Sequence, residues 1–279
     1  MERDGNQEPA PLVSICLPHW QVRELVTLCL RSIRKYTRDV PYEVIVVDNG
    51  SRDDSLEYLR SLRWIRLIER GAETPPHPTL AHATALDIGA REAGGRYFLS
   101  MHIDVIVKQE GWLRRLVDAI ESDERCAAAG TGKLEMPSPL YAWWKRTLDT
   151  KKFRLWLRRT MLRDAGAIQP QRPVCPRDFC ALYRLDVLRK HGLTFVPERF
   201  SPGEHMYLNL IERGHTAAVI PVPEMRRYVD HVVHGTAGLR PAERRLGHTL
   251  EQRRTERRLR RLLSQPHVQA ISADASLDS

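Results

Sequence analysis

Two short apolar runs, LVSICL at 12–17 and EVIVV at 43–47, flank one amphipathic segment at 22–36. No other feature constrains the fold as strongly. Short apolar runs rich in β-branched residues read as buried strands. The segment between them sets Val22, Leu25, Val26, Cys29, Leu30 and Ile33 at helical spacing, with arginines on the other face. A strand, a helix and a strand in this order need a crossover, so the two strands lie parallel. The pattern continues. WIRLI at 64–68, RYFLSM at 96–101, CAAAG at 126–130, FCALY at 179–183 and AAVIPV at 217–222 are further strand candidates. Helices are predicted from near Ser55, capped by Ser51 or Asp54, and over 80–93, 110–121, 185–191 and 206–213. The expected fold class is α/β, a mostly parallel sheet flanked by helices.

In such sheets ligands bind beyond the carboxyl ends of the strands. Two of those ends carry polar residues: Asp48 after the second strand, and His102 with Asp104 after the fourth. Residues 71–79, GAETPPHPT, hold three prolines and read as a loop.

Composition narrows the class. No run of about 18 apolar residues is present, so no transmembrane helix is predicted. MERDGNQEPAP at the start is polar, without the apolar stretch of a signal peptide. Cysteines 16, 29, 126, 175 and 180 form no CxxC pair, which points to reduced thiols and a cytoplasmic setting. The formal net charge is +9, and much of it is local. Nine arginines face three acids between Arg240 and Arg261. Residues 145–163 interleave basic residues with Trp156, Phe153 and Leu162. That segment reads either as a lid over the site or as a helix lying on an anionic membrane surface. The expected organisation is a disordered tail at 1–11, one domain at 12–238, and an Arg-rich helix with a polar tail at 239–279. The domain divides into a nucleotide-binding half at 12–135 and an acceptor half at 136–238.

VSICLPHW, EVIVVDNGSRDDS and ALDIGAREAGGRYFLSMHIDV together resemble family-2 glycosyltransferases of the GT-A, Rossmann-like fold. The resemblance implies transfer of a sugar from a nucleotide-diphosphate donor to an acceptor hydroxyl, with inversion. It places Pro18, His19, Asp48, His82, Asp87, His102 and Asp104 around the donor, with a UDP-sugar favoured. Where the family usually has Asp-x-Asp, this chain has His102-x-Asp104, a pair suited to Mn2+ as well as Mg2+. A late histidine completes the family's metal shell: His234 by position, with His231 as the alternative. The stretch PERFSPGEHMYLNLIERG is similar to the family's acceptor-side motif, with Glu204 or His205 at the position of the general base.

The acceptor is open between carbohydrate, lipid-linked and other hydroxyl compounds. Enzyme location at the inner face of the membrane follows if 145–163 binds lipid. The arginine-rich helix packs on the core, on a second copy in a homo-oligomer, or on an acidic partner. A second functional class is a degenerate, basic binding module for an anionic partner. The absence of any recognised nucleic-acid module argues against nucleic acid as that partner.

Overall fold

A computed structural model of the chain describes residues 10–134, 174–198, 201–232 and 257–279. The tail expected at 1–11 lies almost wholly outside them, as do the aromatic and basic segment at 145–163 and most of the arginine-rich helix.

The first half alternates strand and helix as expected. β1 (Val13–His19), α1 (Arg23–Tyr36), β2 (Tyr42–Asp48), α2 (Ser55–Ser61) and β3 (Ile65–Glu69) come first. α3 (Pro78–Glu92), β4 (Tyr97–Met101), β5 (Val105–Val107), α4 (Trp112–Glu121) and β6 (Cys126–Thr131) follow. The second half adds β7 (Cys180–Arg184), α5 (Leu185–Lys190), α6 (Pro202–Glu212), β8 (Thr216–Ile220), α7 (Val222–Tyr228) and β9 (Val229–His231).

The main sheet runs β3-β2-β1-β4-β7-β6-β8. β7 is antiparallel to both of its neighbours, and the other pairings are parallel. Both halves of the chain therefore share one sheet. β1 is buried along its full length, as the continuous apolar run of a central strand requires. The chain runs from β1 out to β3, then crosses back to lay β4 on the other side of β1. That reversal opens a crevice at the carboxyl ends of β1 and β4.

α3 packs closely on the sheet at Gly89. A Cβ there would fall 2.3 Å from Cys16 Sγ and 3.1 Å from Cys16 Cβ, with Phe98 next. The helix can approach β1 only because that side chain is missing. Gly89→Ala is expected to cost about 2–3 kcal/mol by overpacking, read as a lower urea midpoint with an unchanged slope.

Two local readings need correction. The stretch after Leu263 is not simply a polar tail. It folds as α8 (Pro266–Ala273) and a 3-10 turn at Ala275–Asp278. α8 buries Val268 and Ile271 three residues apart, against α1. Nor do all the arginines of α1 face water: Arg31 is buried under this segment. It donates to Asp278 through Nε at 2.9 Å and also to the Ser272 carbonyl. Tyr58 Oη donates to the same carboxylate at 2.8 Å. A polar composition concealed a segment that docks through two apolar residues and one ion pair.

Secondary structure was also missed at β5, α7 and β9. β5 and β9 form a separate antiparallel pair, with Val105 opposite His231. Three-residue strands carry too little alternation to be read from a sequence.

Candidate active site

The crevice holds a cleft of about 890 Å3. Its floor is the ends of β1 and β2, its far side the turn after β4, and one wall the proline-rich loop 71–78. Lining residues include Pro18, His19, Trp20, Asn49, Arg52, Thr74, His82, His102, Asp104 and His231.

The floor is held by a chain of hydrogen bonds. Asp48 Oδ2 accepts from the backbone N–H of Gly50 and of Ser51, each at 3.0 Å. Asp48 Oδ1 accepts from the Ser51 hydroxyl. Ser51 Oγ in turn accepts from Gln21 N at 2.8 Å, and Asp53 Oδ2 accepts from Val22 N at 2.7 Å. Gln21 and Val22 have φ of 57° and 67°, a region that L-residues and above all β-branched ones avoid. The strained β1–α1 loop is thus held down by the β2 turn. Asp48 is 1% exposed and does not line the cleft. Its carboxylate shapes the turn that presents Asn49, Gly50 and Arg52, and the structure does not place it as a direct donor ligand. Gly50 has φ of 79°, and a Cβ there would be 3.1 Å from the Gly71 carbonyl, so the turn and the loop wall touch through backbone.

His19 is fully buried, with Nε2 2.9 Å from Ser55 Oγ. Ser55 donates its own proton to Asp53, so the network assigns His19 the Nε2–H tautomer. Burial pushes its pKa down to about 4 against the pull of Asp48 and Asp53. His19 is therefore a neutral support of the floor at physiological pH. Arg70, which the sequence did not single out, donates to Asn49 Oδ1 at 2.8 Å and to the Ala81 carbonyl at 3.1 Å. It ties the β2 turn to α3.

Beyond β4, the His102 N–H donates to the Phe179 carbonyl at 3.0 Å. The Val105 N–H returns to the His102 carbonyl at 3.2 Å and closes the turn that aims His102 and Asp104. The Val232 N–H donates to the Asp104 carbonyl at 3.0 Å, extending the β5–β9 pairing. This register brings His231 to Asp104, with Nε2 3.4 Å from Oδ1. Phe179 stacks on the His231 ring at a centroid distance of 4.3 Å. His102 Nδ1 lies 3.8 Å from Asp104 Oδ1.

One donor atom each from His102, Asp104 and His231 lies within 4.8 Å of the others. The His–Asp separations are longer than hydrogen bonds. They match the roughly 3–4 Å expected between two ligands of one ion, each about 2.0–2.2 Å from it. The donor set therefore fits a divalent cation. His234, the positional choice from the sequence, lies outside the described residues; its alternative, His231, is brought to the cluster.

His82 also reaches the cleft. Its ring meets that of His102 edge-on at 4.8 Å. Burial first, and then the neighbouring His102, lower its pKa to about 4. Asp87 does not reach the cleft. Its carboxylate accepts from the Phe195 N–H at 2.7 Å and from the Thr194 hydroxyl, and it faces a different cavity on the outer side of α3. The expectation that it lines the donor is corrected on that ground. Across α6, Glu204 is 1% exposed, with Oε2 3.1 Å from Ser201 Oγ and 3.7 Å from an Arg177 guanidinium nitrogen. His205 points away from this side, toward Asn209 and the charge of Asp87. Trp20, Arg52 and Asp178 are further residues of the site that the sequence did not reveal.

A central switch point, a cleft at the strand ends and a cation-fitting cluster after β4 make an α/β architecture whose ligand site lies beyond the carboxyl ends of the strands. Residues 14–192 match the family described as Glycosyl transferase family 2. The chain belongs to that family, and its chemistry is glycosyl transfer. Among solved structures it is similar to the mannosyltransferase PcManGT from Pyrobaculum calidifontis in complex with GDP-Man and Mn2+. The two are 19% identical, with a TM-score of 0.53 over 95% of this chain and 73% of that one, which supports the GT-A fold. A mycobacterial protein is 17% identical, with a TM-score of 0.48 over 91% of this chain and 74% of that one. No curated protein sequence matches significantly.

Proposed function

We propose that the protein transfers a sugar from a nucleoside-diphosphate sugar to an acceptor hydroxyl, with inversion and with a divalent cation held by His102, Asp104 and His231. The convergence of these three side chains on the far side of the cleft carries the reading. The similarity to a GDP-Man and Mn2+ complex supports the ligand class. UDP and GDP sugars are both candidate donors, and the melting experiment below separates them.

The pinned β2 turn and the Trp20 loop bound the nucleotide end of the cleft. His102, Asp104 and His231 would hold a cation whose positive charge would stabilise the diphosphate as the diphosphate takes up the electrons of the breaking bond. The acceptor oxygen attacks the anomeric carbon from the opposite face, and the bond to the diphosphate oxygen breaks. The hydroxyl proton passes to a carboxylate, for which Glu204 is the candidate. Gly203 brings α6 against the metal side: a Cβ there would be 2.9 Å from Asp178 N.

The test is thermal melting with UDP, GDP and dTDP and their sugars, each with and without Mn2+. One nucleotide is expected to raise Tm only when Mn2+ is present; saturation at a hundred times Kd is worth about 2.7 kcal/mol. Absence of a shift with every nucleotide would overturn the donor reading.

A further inference from the structure

His102 belongs to two clusters, and only one of them is used above. On its other side are His82 and Asp178, and one donor atom from each of His82, His102 and Asp178 lies within 4.8 Å of the others. His82 Nε2 is 3.8 Å from Asp178 Oδ2. That separation is beyond a hydrogen bond, and among the described residues His82 Nε2 is buried without a hydrogen-bond partner. It again matches two ligands of one ion.

The backbone holds this second cluster as firmly as the first. The Asp178 carbonyl accepts from Ser100 Oγ at 2.6 Å, and Gly203 packs against its N–H. His82 is fixed on α3, five residues into the helix. Both histidines line the cleft, so an ion has a route in.

We propose that His82, His102 and Asp178 form a second seat for a divalent cation, competing with the first seat for His102. A neutral imidazole offers one lone pair to a metal. An ion at His82 and Asp178 therefore withdraws His102 from Asp104 and His231. Occupation of the second seat lowers transfer, and a site with two imidazoles and one carboxylate takes Zn2+ readily. The cleft thus carries a brake sensitive to transition-metal ions. The proposal rests on the first cluster being a cation site, and the two can fail separately.

The experiment is equilibrium dialysis of the full chain against Zn2+ alone, with bound metal counted by mass spectrometry and folding checked by melting. Wild type is expected to hold one ion per chain, since His102 is shared. Asp104→Asn should still hold one, in the second seat, and Asp178→Asn one, in the first. Asp104→Asn/Asp178→Asn should hold none, with at least a tenfold loss of affinity. His82→Gln should match Asp178→Asn if either single variant folds poorly. Loss of the ion in Asp104→Asn, with Asp178→Asn and His82→Gln at wild-type affinity, would overturn the second seat and leave the first intact. Wild-type affinity in Asp104→Asn with loss in Asp178→Asn would keep the second seat and remove the first. Zn2+ binding unchanged in the double variant would overturn both.

Discussion

Asp104→Asn will reduce kcat/KM by about a thousandfold, on the order of 4 kcal/mol of transition-state stabilisation, while the protein melts within a few degrees of wild type. Three observations lead there. Asp104 is 5% exposed, so its charge acts in a medium that screens it poorly. Its Oδ1 stands between two imidazoles, 3.4 Å from His231 and 3.8 Å from His102. Its backbone carbonyl accepts from Val232 N, a bond untouched by the change. Asparagine keeps the shape and removes the negative charge that would recruit a cation in the proposed reaction. Rates at saturating Mn2+, together with an Mn2+ titration, check this. Full turnover in the variant would remove the ion from the reaction.

The residues of this site differ in how far the sequence exposed them. Asp104 and His102 stand just beyond a mostly apolar strand, and the strand-end rule locates them. Asp48 stands in an equivalent place, but the same rule misjudges it. A carboxylate one residue before Asn-Gly has a local competitor for its oxygens, the N–H groups of its own turn. Asp87 fails for a related reason: helical spacing tells which residues share a face, and only the packing of 194–195 shows which face meets the cleft. His231, on β9, and Asp178, in the turn before β7, arrive from segments distant in sequence. Their place depends on the register of β5 with β9 and on β7 entering the sheet antiparallel, neither of which leaves a local signature. The α8 segment is hidden because one partly buried ion pair, Arg31 with Asp278, does work that a longer apolar stripe would otherwise advertise.

Glu204 and His205 are adjacent on α6, and the sequence left the proton acceptor open between them. One helical step turns neighbouring side chains by about 100°, and here that step separates them. Glu204 turns inward beside Arg177, and Gly203 next to it packs on the Asp178 backbone, part of the His82, His102 and Asp178 group. His205 turns toward Asn209 and Asp87, whose carboxylate lines the outer cavity. A base must reach the attacking hydroxyl, so the proposed base is the inward residue. Glu204→Gln is expected to lower kcat by 10²–10⁴-fold, about 3–5 kcal/mol, with the donor KM and Mn2+ affinity held within a few-fold. His205→Asn is expected to change kcat by less than about threefold, on the scale of a surface substitution. Because Glu204 is buried beside a guanidinium, Glu204→Gln must also be melted. A variant that keeps its fold and donor binding but loses turnover has lost the proton acceptor, whereas one that loses donor binding in parallel has lost architecture. The reverse pattern, an inert His205→Asn and an active Glu204→Gln, would assign the base to the outward histidine and require α6 to rotate in the acceptor complex.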